Sequence, residues 1–172
     1  MTIILSTIDF PKEISKAFLD GFVGKKIEDI CSIFGTTGDE HNHCAHFVSH
    51  VLGFRIGQLC NTMKYETKDD LDSGRTIRVN DLFNNCPERG YWSGKPEGLD
   101  CCLIFAVLQS QVTDTDGVLT IGTHPKKHVG IYLKGSAYNY GNTKDKVRMD
   151  GVAHFENLYG TGTVALYGKF PK

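Results

Sequence analysis

The sequence predicts an α+β fold in which helices come first and a mostly antiparallel sheet follows. Three observations carry this. Apolar residues in the first third recur at helical spacing. Beyond Asp100 the pattern changes to short apolar runs of strand type. Between the two lies a stretch rich in glycine and proline.

The elements can be justified in order. "DFPKEISKAFLDGFVG" puts Pro11 at a helix start, with Ile14, Phe18 and Phe22 at i, i+4 and i+8. "KKIEDICSIFG" repeats the pattern through Ile27, Ile30, Cys31 and Phe34, and Gly35 stops it. "GTTGDEHNH" is a polar loop. "CAHFVSHVLGF" predicts a third helix, starting at Cys44 and closing near Gly53. "RTIRVNDLFNNC" holds a short helix with Asn80 as its N-cap, and "PERGYWSGKPEGLD" is a loop. "CCLIFAVL" is the continuous apolar run of a buried strand. "HVGIYLKGSAYNYGN" predicts two strands joined by a tight turn at Lys134-Gly135, and "GTVALYGKF" a last strand.

A chain of 172 residues, 40% of them hydrophobic, is expected to form one domain over residues 1–172. The formal net charge is −1 and Lys and Arg are scattered, which argues against nucleic acid as a partner. No run has the length of a membrane span. The start "MTIILSTIDF" has no basic segment and too short an apolar one for a signal peptide, so synthesis in the cytoplasm is expected. Six cysteines occur at irregular spacing with no CxxC pair, as expected of reduced thiols filling apolar sites.

"HNHCAHFVSH", residues 41 to 50, concentrates the chemistry. Each helical residue turns by about 100°. With Cys44 at zero, Phe47, Val48, Val51 and Leu52 fall within roughly 80° of it, so Cys44 centres the apolar face. His46 and His50 fall at about 200° and 240°, on the opposite face, and cannot share a tetrahedral metal with Cys44. They are i, i+4 as in zinc proteases, but Phe47 stands where HExxH has its glutamate. Both are therefore expected to be solvated surface histidines, silent to substitution, and His41 and His43 to be polar loop residues.

Cys44 differs because it begins a helix, where unpaired N–H groups and the positive dipole end favour a thiolate. Such a thiol needs a base. His128 stands at the head of a predicted strand, after the loop "THPKK", and the hairpin partner strand offers Asn139 to hold the ring. A lone histidine at a strand start is ordinarily a surface residue. The combination of the three groups is what points to catalysis.

This combination resembles the NlpC-type branch of the papain-like cysteine peptidases. "CAHFVSHVLG" is similar to the family's nucleophile helix, "LDCCLIFAV" to its following strand, "HVGIYL" to the strand bearing the base, and "YNYGN" to the strand bearing the orienting polar residue. The local run His43-Cys44-Ala45 departs from the family's more usual Asp-Cys-Ser, and the orienting residue is a neutral amide. The resemblance implies an NlpC-type fold, with the nucleophile helix packed on the sheet, and a Cys44–His128–Asn139 site. It implies amide hydrolysis in peptidoglycan peptides without metal or cofactor. Asn139→Asp is then expected to retain or raise activity by supporting the imidazolium. Lacking a signal peptide, such an enzyme is expected to travel by a specialised secretion or phage-type route, and a cognate inhibitor or immunity protein would be a partner. "HCAHFV" is also similar to the "NCEHFV" of lecithin–retinol acyltransferase-like proteins, which gives an acyltransferase or thioesterase as the alternative. In those proteins, however, the histidine precedes the cysteine. A third reading is a non-catalytic metal-binding module built on His41, His43, His46 and His50.

Overall fold

The computed structural model describes residues 14–31, 43–60 and 74–172. Pro11, Phe34, Gly35, His41 and most of the polar loop before Cys44 lie outside the described residues.

Helix α1 (Lys16–Asp20) begins where Ser15 accepts a hydrogen bond from the Phe18 N–H. It buries Leu19 and sets Phe18 against the core, where Phe22 of the following turn also packs. Within the described part of the second predicted helix, residues 25–31, the chain forms a 3-10 turn, Ile27–Asp29. Its backbone is claimed by the sheet instead. The Gly24 N–H donates to the Val147 carbonyl, the Val147 N–H to the Lys25 carbonyl, and the Ile27 N–H to the Tyr140 hydroxyl. Past the turn, the Cys31 N–H makes an i to i−4 bond to the Ile27 carbonyl at 2.8 Å.

Helix α2 (Cys44–Leu52) starts and stops as predicted, and Gly53 closes it in the left-handed conformation at φ 80°. Helix α3 (Val79–Asn84) takes Arg78, not Asn80, as its N-cap, because the extended backbone breaks at Arg78. Asn80 sits inside the first turn, and its Oδ1 accepts from the Lys127 ammonium at 3.2 Å.

The main sheet has strand order β1-β8-β2-β5-β6-β7. The strands are β1 (Arg89–Tyr91), β2 (Cys101–Leu108), β5 (Lys127–Leu133), β6 (Ser136–Gly141), β7 (Lys146–Asp150) and β8 (Thr163–Gly168). Every pairing in it is antiparallel. Strands β3 (Val112–Thr115) and β4 (Val118–Ile121) form a separate hairpin, and α4 (Val152–Glu156) follows β7. The molecule is thus mixed α+β with a mostly antiparallel sheet. β1 falls inside the predicted loop, held there by pairing with β8. The β5–β6 turn is where predicted, with Lys134 and Gly135 both at positive φ, 44° and 95°, as a two-residue hairpin turn requires.

Side chains alternate across the sheet. Leu103, Phe105 and Val107 of β2, Val129 and Ile131 of β5, and Tyr138 and Tyr140 of β6 line one face. There they meet Cys44, Phe47, Val48 and Val51 of α2. Ile104, Ala106, Ala137 and Ala165 line the other face, under Phe155 of α4. Eight of the nine α2 residues are buried, so this helix is covered on more than its sheet side. Among the described residues no helix is long and apolar enough to cross a membrane.

Candidate active site

Cys44 is the first residue of α2 and is 1% exposed. The helix entry is pinned to the sheet. The His43 N–H donates to Asn142 Oδ1 at 3.3 Å, just past the end of β6, and the His43 ring packs edge-on against Tyr140 at 5.5 Å. His43 is therefore a buried N-cap residue rather than a polar loop side chain, because the sheet end covers it.

His128 is the second residue of β5, which runs antiparallel to β6, so its end of β5 adjoins the end of β6 where α2 begins. Cys44 and His128 thus stand at the same end of the sheet. Lys127 and Tyr159 are both within electrostatic reach of Cys44. The two groups belong to different faces, however. Cys44 joins the core beneath α2, whereas the His128 ring lies 5.4 Å from Phe155 on the α4 side.

His128 and Asn139 are brought into direct contact. His128 Nε2 is 2.9 Å from Asn139 Oδ1, with both side chains buried. Asn139 lies opposite Gly130 in the β5–β6 register, diagonal to His128 and on its face. Its amide orientation follows from its partners. Nδ2 donates to the Ala137 carbonyl at 3.2 Å and to Asp150 Oδ2 at 2.9 Å, both of which only accept. Oδ1 therefore faces the ring, and the neutral imidazole carries its proton on Nε2. Nδ1 is left with the lone pair of a base.

Glycine at position 130 makes this packing possible. A Cβ there would stand 2.9 Å from Phe155 Cζ, 2.9 Å from the Tyr138 carbonyl oxygen and 3.1 Å from Asn139 Cβ.

The electrostatics follow from burial. Desolvation pulls His128 down to about 4, against the hydrogen bond it donates to Asn139, which raises it. Asp150 is pushed up by burial, but its hydrogen bonds to Arg148, at 2.5 Å, and to Asn139 outweigh this and hold it below the usual carboxylate range. Asp150 was not legible in the sequence as a site residue, since only the β6–β7 register brings it under Asn139. Lys127 is a second unforeseen neighbour. Burial lowers its pKa, while Cys44 and Asp81 act to raise it.

The histidines of α2 are not solvated. His46 is 1% exposed and His50 half-buried. They stand against Cys31 and Cys60, and one ligand atom from each of the four residues lies within 4.8 Å of all the others. The helix wheel correctly separates them from Cys44. It says nothing of what covers their side, and the segments bearing Cys31 and Cys60 do so.

Comparison with family models, with curated proteins and with solved structures found no match.

Proposed function

We propose that the chain is a cysteine-dependent amidase or peptidase, with Cys44 as nucleophile, His128 as base and Asn139 as the orienting group. The observation that carries this is the buried His128–Asn139 pair at 2.9 Å, at the sheet end where the Cys44 helix begins. The order of cysteine helix, histidine strand and amide strand supports an NlpC-type, papain-like arrangement.

The low basicity of His128 favours a neutral thiol and imidazole at rest over a preformed ion pair. The imidazole Nδ1 takes the Cys44 proton as the sulfur attacks an amide carbonyl. The oxyanion is received by N–H groups at the start of α2, which an α-helix leaves without intrahelical acceptors. The intermediate collapses, the C–N bond breaks, and the imidazolium returns the proton to the leaving amine. Water, deprotonated by the same imidazole, then cleaves the thioester. A carboxylic acid leaves and the thiol is restored.

The substrate we propose is a peptidoglycan stem or cross-bridge peptide. Incubation of purified peptidoglycan with the untagged protein, followed by mass spectrometry of the fragments, tests this. Release of new amine and carboxylate termini that vanishes in Cys44→Ala is the expected result. Equal release by wild type and Cys44→Ala, or no cleavage by either, would overturn it.

A further inference from the structure

We propose that Cys31, His46, His50 and Cys60 form a closed, four-coordinate site for a zinc ion, which clamps both segments flanking α2 onto that helix. The proposal stands independently of the enzymatic reading.

The four residues come from three places in the chain. His46 and His50 are one turn apart on α2, so their rings project to the same side. Cys31 follows the 3-10 turn, and Cys60 lies in the segment after α2. The two imidazole Nε2 atoms are 3.1 Å apart, and Cys60 Sγ is 3.8 Å from His50 Nε2. A tetrahedral zinc with ordinary bond lengths sets such edges at about 3.3 Å for N–N and about 3.6 Å for S–N. Both spacings lie near those edges, and one ligand atom from each of the four residues lies within 4.8 Å of the others. Neither cysteine is in a disulfide. Cys31, Cys60 and His46 are each 1% exposed.

The donor chemistry selects the metal. Two thiolates and two imidazoles in tetrahedral array suit zinc, and four protein ligands leave no position for a catalytic water. Binding releases two thiol protons and leaves a neutral Zn(S⁻)₂N₂ unit, which suits a buried place better than a bare ion. The surroundings fit as well. The Arg75 N–H donates to Cys60 Sγ at 3.3 Å, and the Cys60 N–H donates to the Arg75 carbonyl at 2.9 Å, so a backbone pair supports one ligand.

The consequence is mechanical. Cys44 is two residues before His46, so an ion held by α2 and its flanks fixes the helix start.

The test uses untagged protein. Elemental analysis is expected to find about one zinc per chain, falling to near zero in Cys60→Ser and unchanged in Cys86→Ser. Cobalt exchanged for zinc should show thiolate charge-transfer absorption and the intense visible bands of tetrahedral cobalt. Should Cys60→Ser fail to fold, wild type alone decides the matter. A chelator should strip the ion and lower Tm, and added zinc should restore both. Protein that carries no metal and binds no cobalt overturns the proposal. So does a cobalt spectrum unchanged in folded Cys60→Ser, or a Cys31–Cys60 disulfide found in its place by mass spectrometry.

Discussion

His128 is joined to Asn139 by a 2.9 Å contact, and the same amide donates onward to Asp150 at 2.9 Å. An amide thus stands between a buried ring and a carboxylate. It holds the ring's proton on Nε2 and passes to it some of the support of a negative charge. The charge itself stays one residue away, half shared with Arg148.

Asn139→Ala should slow turnover by roughly ten- to a hundredfold, because a mis-aimed ring still acts as a base. The sequence alone predicts that Asn139→Asp keeps or raises activity. Asp150 reverses this, since the new carboxylate would face an existing one across a hydrogen-bond distance. One of the pair must then hold a proton, its folded pKa raised above the unfolded value. Stability of this variant is present at acid pH and lost as pH rises through that folded pKa. Urea unfolding across pH reads the effect. Adding Asp150→Asn should restore neutral stability by exchanging amide and acid.

Burial of His128 gives wild-type stability an acid-side slope. Its folded pKa, about 4, lies below an unfolded value near 6.5. The unfolded chain therefore gains the proton first. Stability from this group is full above about pH 6.5 and declines toward pH 4, by about 3 kcal/mol over the whole range. In His128→Gln that part of the slope should disappear in urea midpoints measured from pH 7 to 4. An unchanged slope would mean that the ring is not buried neutral.

Gly130→Ala should damage the site more than the fold. The added methyl meets Phe155, the Tyr138 carbonyl and Asn139 together. Overpacking of this kind costs about 1–3 kcal/mol. Because Asn139 must shift, kcat should fall further than the loss of folded protein accounts for, as judged by active-site-independent circular dichroism.

Much of this was readable in the chain. Cys44 and Gly53 bound their helix because a helix start and a left-handed glycine stop are local events. The β2 run and the Lys134-Gly135 turn are local too. Asp116-Gly117, with φ 53° and 82°, marks the β3–β4 hairpin with the same kind of signal, between alternating residues, and was open to the same argument. The failures are non-local. Nothing near Ile27 announces that its N–H will go to Tyr140, more than a hundred residues on. The wheel that set His46 and His50 opposite Cys44 assumed solvent on that side. Their i, i+4 spacing, with cysteines at 31 and 60 on either flank, was the available sign that another segment covers it. Asp150 had no linear sign, since strand register alone delivers it.

The central claim is that Cys44 and His128 act as one unit, and selective alkylation measures this most directly. Cys101, half-exposed with its thiol pKa raised by burial, serves as the internal comparator. Wild type and His128→Ala would be treated with limiting iodoacetamide at neutral pH, and each cysteine peptide quantified over time. The account predicts that Cys44 reacts faster than Cys101 in wild type, and at least about tenfold more slowly once His128 is removed. A Cys44 that lags behind Cys101, or that reacts at the same rate with and without the imidazole, would contradict it.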